Sequence, residues 1–273
     1  MSFSYSLELE NQLSKILLQS LQQDDAITKT QRNKLLDKLA PAVVEIVLRN
    51  VYLQNLALSI TEMQLTSKLE IYIRYAEMLV KNALINPEVD KIPDRETVAQ
   101  RVASNQQSIT RSELAILLSR SKSLLIKSLK QSSFTKSTMC LYYLRESFPA
   151  IFTEKYHEWL VKHPLRQEII STFLANVCIS DMGISYVRQM VDETGCKEEV
   201  AVVAYHLAVD IYQLRKITKI LHNHAFSFDK AMFLDIYDDI RSLLRHAAKW
   251  LIQNLDLNDH ENNMLLIKSI SAD

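Results

Sequence analysis

The chain has 273 residues, 48% of them hydrophobic, and its 32 basic and 32 acidic side chains leave no net charge. That length suits one large domain or two small ones, and the apolar share is enough to bury a core. The charge balance removes the electrostatic motive for indiscriminate binding to nucleic acid or to an anionic membrane, so neither is expected as a partner.

Glycine is nearly absent. Gly183 and Gly195 are the only two, where an average composition of roughly 7% would give about nineteen. Phosphate-cradling loops need several glycines close together, because the backbone must turn tightly and approach the anion. Neither GxGxxG nor GxxxxGK[ST] can be written here, so no nucleotide cofactor is expected in this stretch. Cys140, Cys178 and Cys196 are widely spaced and odd in number, which reads as reduced thiols and not a disulfide framework. The first residues lack the basic and apolar regions of a signal peptide, and no run approaches the roughly 18 apolar residues of a membrane span. A soluble cytoplasmic protein is expected.

Apolar residues recur at helical spacing almost throughout, so an all-α, multi-helix, bundle-like domain is predicted. Leu13, Ile16, Leu17 and Leu21 mark a first helix. Thr28 or Thr30 caps a second carrying Leu35, Leu36 and Leu39, and Pro41 suits the first turn of a third with Val43, Val44, Val47 and Val51. A long amphipathic helix follows over about 61–84. Pro87 and Pro93 bracket a polar break, with a short helix over Asp94–Ala103. Thr110-Arg111-Ser112-Glu113 is a capping box before an apolar run. Pro164 opens a strongly apolar helix that Gly183 ends in a left-handed cap, and Gly195 ends the next. Long helices are predicted over about 197–222 and 229–254. The organisation read from this is N-terminal helices over 1–86, a linker region over 87–109, a C-terminal helical subdomain over 110–255 and a tail over 256–273.

The chemistry-bearing constellations are weak. His222, His224 and Asp229 could supply metal ligands, but no third histidine or cysteine completes a recognised spacing. Carboxylates at Asp229, Asp235, Asp238 and Asp239 complement a helix start. His157 and His163 flank Trp159 without a partner for general-base work. No catalytic, cofactor-binding or metal residue is assigned. Interface or structural roles fall to Arg111, Glu113, His163, Arg166, Glu168, Asn176, Gly183 and Gly195. Arg166 in so apolar a helix reads as an anchor against another surface, since a buried charge must be paired.

Four ordered blocks carry a resemblance. His163-Pro-Leu-Arg-Gln-Glu-Ile-Ile170, Ala175-Asn176, Met182-Gly183-Ile184, Val187-Arg188 and Glu193-Thr194-Gly195 form one. Thr110–Ser119 with Ser121-Lys122 forms another. Gln31–Leu36 is the third, and Val47–Asn50, Tyr52–Gln54 and Ala57-Leu58 make the fourth. Together, over about residues 28–254, the chain resembles the C-terminal helical region of the large bacterial NAD-specific glutamate dehydrogenases. It departs at Arg120, where the family usually has an aromatic, and before Lys15. The resemblance implies a parent enzyme that oxidises L-glutamate with NAD, its dehydrogenase core lying N-terminal to this region. It also implies that this segment is non-catalytic, packs against that core or another subunit of a homo-oligomer, and supports assembly or regulation. The alternative is an independent helical protein–protein interaction module.

Overall fold

The computed structural model describes residues 3–137, 140–223 and 229–257, with side chains described except at 3–11, 222, 223, 230 and 231. It is 82% helical, and no strand occurs among the described residues. The helices are α1 (Phe3–Gln23), α2 (Lys29–Lys81), α3 (Pro87–Asp90), α4 (Arg95–Ala103), α5 (Arg111–Gln131), α6 (Leu141–Glu146), α7 (Ala150–Lys155), α8 (His157–Val161), α9 (Arg166–Met182), α10 (Ile184–Thr194), α11 (Glu198–Ile211), α12 (Leu214–Asn223) and α13 (Lys230–Asn254), with a 3₁₀ turn at Phe134–Lys136.

The helix starts follow the sequence. The Thr28 hydroxyl accepts from the Gln31 amide while the Gln31 side chain accepts from the Thr28 N–H, so Thr28 and not Thr30 is the cap. Thr110 and Glu113 form the same reciprocal pair at the start of α5. Asp94 caps α4 by accepting from the Thr97 amide at 2.8 Å. Each satisfies backbone donors that would otherwise lack an intrahelical partner.

Two boundaries differ from the pattern. The three helices read over residues 28–84 are one helix of 53 residues, α2, with Pro41 inside it and a single non-helical residue, Lys68. The buried row Leu35, Leu39, Val43 and Val47 repeats every four residues straight through Pro41. That continuous stripe outweighs the one hydrogen bond that proline removes. Conversely, the helix read over 197–222 breaks at Gln213, which has φ 50°. The break turns α12 back so that Arg215 reaches Asp210 at 2.8 Å.

One contiguous core runs from Leu17 to Leu257. α5 packs on α9, α11 on α13, and α1 on α2. All nine residues from Ala201 to Val209 in α11 are buried, as expected for a helix apolar all round. Each fully buried leucine contributes roughly 1.5–3 kcal/mol. Cys140 and Cys178 are buried free thiols and Cys196 is half-buried. Burial pushes the Cys140 thiol up to about 12, far from a reactive thiolate.

The polar segment between α2 and α5 is fastened to both. Arg95 pairs with Glu70 and Glu77, each at 2.8 Å. Arg120, the departure from the family pattern, pairs with Asp90 at 2.6 Å. Arg95 and its two partners are about half exposed, so water screens them, whereas Asp90 is only 11% exposed beside Arg120.

α9 and α10 meet at a 92° bend. Gly183 forms that corner with φ 79° and ψ 171°. This is not the left-handed cap read from the sequence. It is the extended positive-φ region open essentially to glycine alone, and the residue also starts α10. Gly195, at φ 71° and ψ 7°, does make the left-handed cap that ends α10. A β-carbon at Gly183 would meet its nearest atoms at 3.7–3.9 Å, ordinary contact distances. Gly183→Ala is therefore expected to lose about 1–3 kcal/mol through backbone strain, not through a clash. Chemical denaturation checks this against Gly195→Ala, which has open space around it and the milder left-handed conformation, so its loss is expected to be smaller.

Candidate functional site

The strongest concentration of buried polar groups surrounds the Gly183 corner. α9 delivers Asp181, α11 delivers Tyr205, and α13 delivers Tyr237 and Arg241. Tyr205 donates to one carboxylate oxygen of Asp181, and Tyr237 to the other at 3.2 Å. Burial and then the nearby Asp181 carboxylate raise both phenols well above their ordinary value. The Nε of Arg241 donates to the Asp181 carbonyl, and its guanidinium lies 5.6 Å from the centre of the Tyr237 ring. Arg241 is only 5% exposed, and its two Nη atoms are buried without a hydrogen-bond partner.

The kinked part of α2 closes the other side. Gln64 donates to Asp238 at 3.3 Å. Gln64 Oε1, Arg241 Nη2 and the Tyr72 hydroxyl all lie within 4 Å of the position a Gly183 β-carbon would take. Lys122 of α5 donates to Ser180 at 3.2 Å. Burial pulls its ammonium down to about 8, against the pull of Asp181. The arrangement links α2, α5, α9, α11 and α13 through one node. The Gly183 N–H donates to the Ile179 carbonyl at 3.0 Å, and Gln64, Tyr72 and Arg241 face the side where a β-carbon would stand.

A second node lies at the turn between α11 and α12. Asp210 accepts from Arg215 at 2.8 Å and from the Tyr143 hydroxyl at 3.0 Å. The Arg215 guanidinium sits over Tyr142 and Tyr143, 5.4 and 5.5 Å from the ring centres. His206, fully buried, faces Tyr143 and Tyr205 edge-on.

A cavity of about 270 Å³ lies between α2, α5, α10 and α11, walled by Tyr75, Met78, Leu125, Ile184 and Val187, with Glu198 also lining it. Burial raises the Glu198 carboxyl above its ordinary value. The cavity shares no lining residue with either polar node.

The residues singled out from the sequence do not converge; each holds a different junction. Arg111 pairs with Glu62 and ties α5 to α2. Glu113 closes the α5 capping box and takes both Nη atoms of Arg101, at 2.9 and 3.0 Å. His163 is buried, and its Nδ1 accepts from the Leu165 amide at 3.1 Å, capping the turn before α9; burial lowers its imidazole. Arg166 donates to the carbonyls of Lys136 and Ser137, both at 3.3 Å. It anchors a loop of this same chain, where the sequence pointed to another surface. Glu168 pairs with Lys130 at 2.9 Å on an exposed face, and Asn176 is half-buried on α9. His224 lies outside the described residues, as does the side chain of His222. Among the described residues no three His, Cys, Asp or Glu side chains gather as a metal site.

Asp181, Arg241 and Gln64 were missed. One signal was there to read. The buried positions of α13 are 233, 234, 237, 241, 244, 248 and 251, alternating by three and four from 234 onward, with an arginine at a core position. A charge on the apolar stripe of a helix marks a buried polar contact.

The family model for the glutamate dehydrogenase C-terminal region matches residues 106–264, more than half of the chain. The chain belongs to that family. A second model, the catalytic domain of bacterial NAD-glutamate dehydrogenase, matches residues 8–61. The catalytic-domain family thus reaches into α1 and α2, further along than the resemblance alone placed it. The NAD-specific glutamate dehydrogenase of Pseudomonas aeruginosa is 30% identical over 240 residues, covering 88% of this chain. That of Halomonas elongata is 28% identical over 239 residues, and that of Mycobacterium tuberculosis 24% over 238. The chain spans only 14–15% of the length of these relatives.

Proposed function

We propose that this glutamate dehydrogenase segment serves an NAD-dependent parent enzyme that converts L-glutamate, NAD and water to 2-oxoglutarate, ammonia and NADH. In this reading the segment is non-catalytic. It packs against the dehydrogenase core or a neighbouring subunit and supports assembly or regulation, while the core holds NAD and the amino acid.

One observation carries the reading. α2 starts inside the stretch matched by the catalytic-domain family and runs unbroken by any loop into the helical core. There it meets α5, α9 and α10, which belong to the stretch matched by the C-terminal family. A single helix that begins in one matched region and packs on the other couples their positions, as a linker of flexible residues would not. The polar nodes fit the same role, because their charges are spent on holding helices together.

Mixing the chain with the N-terminal remainder of its parent enzyme tests this. Glutamate-dependent NADH formation is expected to be restored or altered in the mixture, and to be absent with the chain unaided. NADH formation by the chain alone would overturn the proposal.

A further inference from the structure

Resting on that reading, we infer that the dehydrogenase core docks on one identifiable face: the row Leu48, Tyr52 and Leu56 of α2, with the exposed Ile217 and Ile220 of α12, whose Leu221 shares the cluster of Ile60.

The row is spaced by four residues, so its members lie on one side of the helix. It begins at Ile60, which is buried with Leu221, Phe233, Leu234 and Tyr237 in a small cluster separate from the main core. Leu56 packs on that cluster at half burial. Tyr52 is also half-buried, and Leu48 at the far end is 55% exposed. The apolar row thus emerges progressively from the protein. α12 repeats the pattern. Leu214 and Leu221 are buried, while Ile217 and Ile220 are 48% and 61% exposed.

The surrounding stretch of α2 carries further apolar residues, with Glu45 and Arg49 exposed among them. Val44, Ile46, Val51 and Leu53 are all half-buried. An 18-residue window of this helix has mean hydropathy 1.2, yet only 22% of the window is buried. This helix is long and apolar enough to cross a membrane, where the sequence reading found no such run, but core helices packed inside a protein share that length and composition. Two observations favour a protein cover. The exposed row is continuous with a packed cluster of this same chain. The uncovered stretch also falls inside residues 8–61, which match the catalytic domain of the family. In relatives this helix is therefore part of the domain that the proposal sets against it. A contiguous exposed apolar patch rimmed by polar residues marks an interaction site.

The test compares the full chain with Leu48→Glu/Ile220→Glu and with Val89→Glu, a control at a 73% exposed position on α3. Each is titrated against the N-terminal remainder of the parent, with circular dichroism confirming that helix content is kept. The unsubstituted chain and the control are expected to bind alike, and the double variant at least about tenfold more weakly. Equal binding by the double variant would overturn the face assignment while leaving the proposed function intact. Failure of the unsubstituted chain to bind the core would overturn both. Flotation with lipid vesicles, or a self-dimer that the core does not displace, each abolished by the double substitution, would also overturn the assignment.

Discussion

Asp210→Ala is expected to destabilise the protein by about 3–5 kcal/mol, read as a drop in the urea midpoint at unchanged slope. Asp210 accepts from both Arg215 and the Tyr143 hydroxyl, and about four-fifths of its side chain is buried, with 19% exposed. Removing the carboxylate leaves a guanidinium against two tyrosine rings with no counter-charge. One of its nitrogens, Nη2, is already buried without a partner. It also strands the Tyr143 hydroxyl in the core. An unpaired buried charge costs more than the intact pair contributes, because desolvation is no longer offset. Asp210→Asn keeps an acceptor and the shape, so its loss is expected to be smaller. Pairing Asp210→Ala with Arg215→Met removes the stranded charge and recovers a large part of the stability. A loss below about 1 kcal/mol for Asp210→Ala would mean that the pair behaves as a solvated surface contact.

Acid is expected to unfold the chain through His206. This histidine is fully buried, and its Nε2 lies 3.1 Å from the Leu174 carbonyl, which fits a neutral ring donating from Nε2. Its Nδ1 is buried without a partner. Burial, aided by the positive charge of Arg215, lowers the imidazole to about 3. Above the ordinary histidine value near 6.5 both folded and unfolded states hold a neutral ring, and stability does not depend on this group. Below it the unfolded chain takes up a proton that the folded chain refuses. Stability then falls by about 1.4 kcal/mol per pH unit from pH ~6.5 towards the folded value. At pH ~5 the loss is therefore about 2 kcal/mol. Urea unfolding at a series of pH values checks this against His206→Gln, which cannot titrate. An identical slope for both chains between pH ~6.5 and ~5 would show that the ring is not held neutral by the fold.

Much of the local structure was legible because it depends on neighbours in sequence. The caps at Thr28 and Thr110 follow from which side chains can reach back to an orphan N–H, whereas Asp94, read as the first residue of its helix, proves to be the cap before it. The apolar centre of α9, with Ile170, Leu174 and Cys178 fully buried, follows from helical spacing. Pro41 misled because its local cost was read without the stripe that runs past it. Gln213 gave no sign, since nothing in its own chemistry asks for a left-handed turn. Only the folded chain shows the turn, beside the Arg215–Asp210 pair. Arg166 was seen as an anchor, but the carbonyls of Lys136 and Ser137 that it holds lie thirty positions away in the chain.

The amino-acid sequence by itself determined the helical class, the helix starts, the scarcity of phosphate-binding glycine and the family to which the chain belongs. These rest on periodicity, short-range hydrogen bonding and the order of motifs, all of which are local in the chain. Only the tertiary structure decided that Gly183 is a corner faced by Arg241, Tyr72 and Gln64, that Asp181 joins two tyrosines from different helices, and that the apolar row of α2 emerges uncovered. Those facts depend on which distant side chains come to share one volume. Burial and pairing at that distance are set by packing, and no window along the chain contains them.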